Sequence, residues 1–425
     1  MPPRRRPPNS LLPTLLLGLL GAILAPPVSA QSVDESQVRG APADADEVRA
    51  QIASIEKALS QLPDRAAALY LLAVDHQHLG DTLAALKLLK ECVNLREGFD
   101  PSGSPELKVL KGQKEFDDLV TAVHKEFPVV AQAKLAFVTR EKDLIPEGLA
   151  YDAKQNVLYL GSLYRRKIVK IDPDAKDAAS QDSDFVPQGR DHLLPILGIR
   201  PDPADGSVWA NSWDEKSDRS ELLHFDASGN LLARYVPTDG AKHGFNDLVV
   251  LPGGNILLTD SVSNQLLRFA PAARTFTALA THRPLSTPNG IAIDEDRHAV
   301  YVADDFGVIR IELRTGASAD VNPGPRNTLA GIDGLYWHAG SLIAVQNAIG
   351  SPRIAAFRLA ADGTRVAQTT VLENRSAFTV MPSTGAIRGN DFYFIVNSQV
   401  DNLNGDHILD VTTLQPIRIG VVHLP

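Results

Sequence analysis

Glu147, Asn246, Asn289 and Asp333 stand at one register position of a recurring sequence pattern, and each carries a side-chain oxygen close to its backbone. The turns that hold them read IPEGLAYD, GFNDLVVL, TPNGIAID and AGIDGLYW. Two further turns, PILGIRPD and PSTGAIRG, carry Leu197 and Thr384 at the same place. Two carboxylates and two amide oxygens brought to one point repel one another unless a cation lies among them. Hard oxygen ligands without His or Cys suit calcium, with water completing roughly six to eight positions. Zinc, magnesium or manganese are the other divalent candidates. A cation with an open position polarises a carbonyl or phosphoryl oxygen and stabilises the charge that develops there. A carboxylate beside it activates water or attacks directly. Asp333 is the candidate for that role, with base and nucleophile both open. Any one of these turns alone is ordinary, because Pro-Asn-Gly, Asn-Asp and Asp-Gly tolerate unusual backbone angles. The signal is that four oxygen-bearing residues keep one register from position 147 to position 333.

A repeated strand unit would bring them together. Short apolar runs recur at VLYLGS (157–162), SVWANS (207–212), NILLTDS (255–261), AVYVADD (299–305), SLIAVQN (341–347) and FYFIVNS (392–398), spaced by about 42 to 51 residues. Most are followed by a polar turn and a second strand, as in KIVKID (167–172) and QLLRFA (265–270). A period of 40–50 residues with several strands per unit marks a propeller blade. Six units predict a mainly β chain folded as a six-bladed β-propeller over 135–425. The turn entering each inner strand would then open onto one mouth of the central channel. LAFVT (135–139) precedes the first unit and is expected to complete the last blade, closing the ring.

The segment before the propeller has a different period. Helical spacing over 46–130 puts Ile52, Ile55, Ala58 and Leu59 on one face, then Leu69, Leu72 and Ala73 on another. Gly80-Asp81 breaks the run before Ala85, Leu86, Leu89 and Cys92, and a last amphipathic stretch carries Phe116, Leu119, Val120 and Val123. The expectation is a small N-terminal α-helical domain packed on the propeller, with Cys92 as a buried apolar residue. Residues 31–45 are polar, with Pro and Gly, and predict a linker. Residues 1–30 combine Arg4-Arg5-Arg6, an apolar run from Leu11 to Leu24 and the small residues Val28-Ser29-Ala30. That is the form of a cleaved signal peptide, with a periplasmic or secreted destination and no stable membrane span after cleavage.

Overall composition limits the alternatives. The chain has 425 residues, 42 basic and 51 acidic, for a net charge of −9, with 44% apolar residues. It is long enough for a large core, and its acidic balance argues against nucleic acid as a partner. One cysteine excludes an intramolecular disulfide. Arg165-Arg166-Lys167 is expected at a solvated hairpin tip.

The PEGLxxD, FND, PNGIAID and DGL turns together resemble those of the six-bladed propellers of the senescence marker protein and gluconolactonase family, to which paraoxonases and diisopropylfluorophosphatase are related. The resemblance covers roughly 136–425. It implies a calcium or other divalent ion at the channel mouth, held by residues corresponding to Glu147, Asn246, Asn289 and Asp333. It also implies hydrolysis of a lactone, ester or organophosphate. The helix, turn and helix around Gly80 resemble one tetratricopeptide repeat, with Glu97 where that pattern closes on proline. Two departures bear on substrate. Gly244 stands where gluconolactonase-like members carry a substrate-orienting arginine, and Leu197 stands where paraoxonases carry a histidine. His243 is a candidate proton shuttle in their place. Two functions therefore stand open: a hydrolase of a small molecule, or a non-catalytic propeller with a structural metal and a protein contact through the helical segment.

Overall fold

The computed structural model describes residues 45–175 and 181–425. The expected signal peptide lies outside the described residues, as does all of the expected linker but Ala45. Among the described residues four α-helices come first: α1 (Ala45–Ala58), α2 (Arg65–His78), α3 (Thr82–Leu95) and α4 (Lys114–Glu126). Asp64 and Asp81 cap α2 and α3, their carboxylates accepting from the amides of Ala67 (2.8 Å) and Ala84 (3.1 Å). Gly80, at φ 79°, makes the turn between those two helices. Cys92 is buried on α3, as its spacing predicts.

The rest of the chain is a six-bladed β-propeller. Its blades begin with the strands Pro146–Asp152, Ile196–Pro201, Phe245–Val250, Ile291–Asp294, Ile332–His338 and Gly385–Arg388. Each of these packs against the first strand of the next blade, and the sixth packs against the first, so that six strands surround one axis. The sequence reading misplaced one layer here. VLYLGS and its five counterparts are the second strands, while PEGLAYD and its counterparts, read as entry turns, are the innermost strands. The sixth blade is completed by Lys134–Val138, which pairs antiparallel with Arg418–His423 near the C-terminus, as LAFVT predicts. Just before it, Val130 and Ala131 add a short fifth strand to the fifth blade.

Strands alternate in direction within each blade. The start of the inner strand, the loop between the second and third strands, and the link to the next blade therefore share one rim. The helices sit on that rim, over the fourth and fifth blades. Phe306, Ala330 and Ile349 of the propeller belong to the same core as Leu69, Leu72, Leu89 and Phe99. Asn374 donates to the carbonyl of Pro128 (2.8 Å), and Arg375 donates to that of Phe127 (2.6 Å). The basic hairpin is not a wholly solvated tip. Lys167, just ahead of the strand Ile168–Ile171, is buried between Glu141 (2.6 Å) and Asp184 (2.5 Å).

Candidate functional site

Three of the four oxygen-bearing residues occupy an irregularity that repeats in four of the six blades. In four inner strands the pairing with the second strand slips between Pro146 and Leu149, Ile196 and Ile199, Phe245 and Leu248, and Ile332 and Leu335. Glu147, Leu197, Asn246 and Asp333 lie inside those slips. A β-bulge of this kind re-aims the side chain of the extra residue. Two residues earlier the backbone turns sharply, with Ile145 at φ 45°, Thr287 at 47° and Gly331 at 63°, ahead of Glu147, Asn289 and Asp333. Two of these are β-branched residues, for which a positive φ costs about 1–3 kcal/mol. Such strain persists where the surroundings fix the backbone.

Glycine lets neighbouring bulges nest. A Cβ on Gly148 would stand 1.9 Å from the carbonyl oxygen of Leu197, one on Gly198 would stand 2.6 Å from that of Asn246, and one on Gly290 would stand 2.4 Å from that of Asp333. Each glycine follows one site residue and lies against the backbone of the next. Thr259 Oγ1 donates to the carbonyl of Asn289 (2.7 Å), linking the third blade to the fourth. Thr384 Oγ1 donates to the carbonyl of Glu147 and closes the circle. The six register positions predicted from sequence are thus neighbours around the axis.

Their electrostatics are unusual. Glu147 is 4% exposed, and its Oε2 has no hydrogen-bond partner. Burial, and then the nearby charge of Asp333, push its carboxyl well above the ordinary carboxylate range. Asp333 is pushed up to about 7, mainly by burial, with the charge of Asp247 adding to the rise and hydrogen bonds from Asn347 and Asn289 opposing it. Asn246 is buried and donates its Nδ2 to Ser261 Oγ (3.3 Å). Glu147 feels the charge of Asp333, which accepts a hydrogen bond from Asn289, and Asn246 stands at the same position of its own inner strand. Among the described residues no group of three or more His, Cys, Asp or Glu side chains is placed to hold a metal ion. A cation here would need the asparagine oxygens beside the two carboxylates, and that mixed donor set is one that hard divalent ions accept.

Several residues at the site lie outside the predicted set. Asn347 Nδ2 donates to Asp333 Oδ2 (2.6 Å). Asn347, Ser261 and Asp305 end the aligned strings SLIAVQN, NILLTDS and AVYVADD, so the repeat itself contained the signal for them. Deeper in the channel, Arg200 of the second blade pairs with Asp247 of the third (2.8 Å) and lies 5.5 Å from the ring of Tyr336 in the fifth blade. The second and fifth blades face each other in a ring of six. This contact therefore crosses the channel and gives the site a floor. Cavities of about 190 and 300 Å³ occur elsewhere, beside α3 and α4 and along the outer part of the fifth blade.

His243 is buried, and both ring nitrogens are engaged, Nδ1 with Asp260 (2.5 Å) and Nε2 with Asp239 (3.0 Å). The hydrogen bond to Asp260 is the main reason its pKa rises to about 9. It is an imidazolium held in place at neutral pH, and neither nitrogen is left for a substrate proton.

No protein-family model and no curated protein matches the chain. Among solved structures, the PQQ-bound aldose sugar dehydrogenase of Streptomyces coelicolor aligns at 15% identity and a TM-score of 0.48, covering 69% of this chain and 97% of that one. A virginiamycin B lyase from Staphylococcus aureus aligns at 16% identity and 0.48, covering 69% and 100%. A glucose dehydrogenase-type oxidoreductase from Thermus thermophilus aligns at 12% and 0.45, covering 68% and 99%. Matches this distant carry nothing about activity.

Proposed function

We propose that this protein is an exported, divalent-cation-dependent hydrolase of a lactone, ester or related small molecule, akin to the senescence marker protein and gluconolactonase family. One observation carries the reading most directly: the buried, unpartnered Glu147 oxygen set against Asp333, two carboxylates with no basic side chain paired to either among the described residues. A divalent cation relieves that repulsion, and calcium is the ion such oxygens favour. Glu147, Asn246, Asn289 and Asp333 would hold it, and when bound it supplies polarisation of the substrate's carbonyl or phosphoryl oxygen. Asp333 then takes the proton of the attacking water, or attacks itself. Asn347 orients Asp333, and Arg200 with Tyr336 blocks passage below. With Gly244 in place of an arginine, the sugar-binding contact of gluconolactonase-like members is not reproduced. We read the α2–α3 pair as a tetratricopeptide-like cap on the propeller.

The test is a pH-stat assay of the exported chain, its start at Gln31 checked first by mass, against lactones, aryl esters and phosphotriesters with and without chelator. Turnover should fall with chelation. Asp333→Asn should fold and lose about 10²–10⁴ in rate. The position of the helices on the site rim favours a second reading, a non-catalytic binder with a structural metal. No hydrolysis across the panel, together with a melting temperature that calcium still raises, would decide for it.

A further inference from the structure

The helical segment touches the propeller next to Asn347, which orients Asp333. Asn347, besides its bond to Asp333, donates to the carbonyl of Pro382 (3.1 Å), and its own amide donates to that of Gly331 (3.1 Å). The loop that follows is seated on the helices. Ile349 is fully buried in their core, and its carbonyl accepts from the Asp100 amide (2.9 Å). Gly350, at φ 89°, lies so close that a Cβ there would stand 1.8 Å from the Asp100 carbonyl oxygen and 2.8 Å from Tyr70 Oη. A Cβ on Gly103 would stand 2.5 Å from the Gly350 carbonyl oxygen. Ser351 donates its hydroxyl to the Asp100 carboxylate, which also holds His124 (2.9 Å) and Arg375 (3.3 Å). The turn at 100–103 is therefore fixed from both sides, by α4 and by the fifth blade.

We infer that the helical segment is a working part of the axial site, and that its 100–103 turn clamps the 347–351 loop so that Asn347 holds Asp333 in place. Asn347 is a positioning residue in this scheme, and the clamp acts through it alone. Partners that orient a metal-ligating carboxylate typically change metal affinity by about 10–100-fold when removed. The inference rests on the axial-cation reading above for its effect on metal, and on geometry alone for its effect on Asp333.

The experiment uses the full mature chain and three loop variants, Asn347→Ala, Gly350→Ala and the milder Ser351→Ala. Asn374→Ala serves as a control, since it cuts a contact between the helices and the fifth blade that does not lead to Asn347. Calcium affinity is measured by calorimetry, and amide exchange is followed over 332–335 and 347–351. Asn347→Ala and Gly350→Ala should weaken calcium tenfold or more, and Ser351→Ala about threefold. Exchange should speed at 332–335 in all three. The Asn374→Ala control should lose melting temperature while keeping calcium affinity within twofold. Unchanged exchange at 332–335 in Gly350→Ala and Ser351→Ala overturns the clamp. Should Gly350→Ala fail to fold, Ser351→Ala decides. Should the wild type bind no calcium, the axial-cation reading fails by itself, and the exchange data still decide the clamp.

Discussion

At the scale of single residues, burial with or without a counter-charge separates the roles. Glu147 and Asp333 are buried carboxylates facing each other, whereas His243 and Asp260 are a buried cation and anion. Removing one partner of such a pair leaves an uncompensated charge and costs about 3–5 kcal/mol. The folded pKa of His243, about 9, lies above the ordinary 6.5. Its stabilisation is therefore complete below 6.5 and is lost as pH rises through 9. Urea unfolding of wild type and His243→Gln from pH 6 to 10 should show a large gap at pH 6 that shrinks toward pH 10; a constant gap would refute the charged pair. The sequence made the oxygen-bearing set legible because four turns share one register. It did not show what surrounds His243, because Asp260 lies 17 positions on and arrives only through the pairing of Phe245 with Asp260.

At the scale of elements, the innermost strands explain both the success and the error of the sequence reading. Their starts are bulged and kinked, and they use Pro, Gly, Asn and Asp for that purpose, so they read as turns. Their middles are buried on both sides, as in Phe245–Val250, so they lack the alternation that marks a half-exposed strand. The register survived the misreading, because the site residue keeps the same place at the start of each inner strand, inside a bulge in four of the six blades. Close packing of neighbouring inner strands makes a specific demand on Gly290, whose added Cβ would press on the carbonyl of Asp333. Gly290→Ala should cost about 1–3 kcal/mol by overpacking and, if the proposed axial cation is bound, should weaken calcium binding as well. Loss of stability with unaltered metal affinity would mean that the backbone yields elsewhere than at Asp333.

At the scale of the whole molecule, a propeller is as stable as its closure. The outer strand of the sixth blade comes from 134–138 and its neighbour from 418–423, so the two ends of the propeller are joined by hydrogen bonds across the seam. Phe137 fills the core beneath with Ile395, Ile417 and Ile419, a burial worth about 1.5–3 kcal/mol for that side chain alone. LAFVT made this closure legible from sequence. The docking rim of the helices was not legible, since helical periodicity gives a buried face without saying what covers it. A chain starting at Ile145 loses the closing strand and the helices together, exposing the edge at 418–423 and the apolar residues Phe306, Ala330 and Ile349. One starting at Val129 loses only the helices. By calorimetry, the Val129 chain should melt in one cooperative step at a lower temperature than a chain starting at Gln31. The Ile145 chain should show no single transition, because an open ring lets its end blades fray independently. If the Ile145 chain melts as cooperatively as the chain starting at Gln31, the strand at 134–138 is an accessory and closure comes from the inner strands alone.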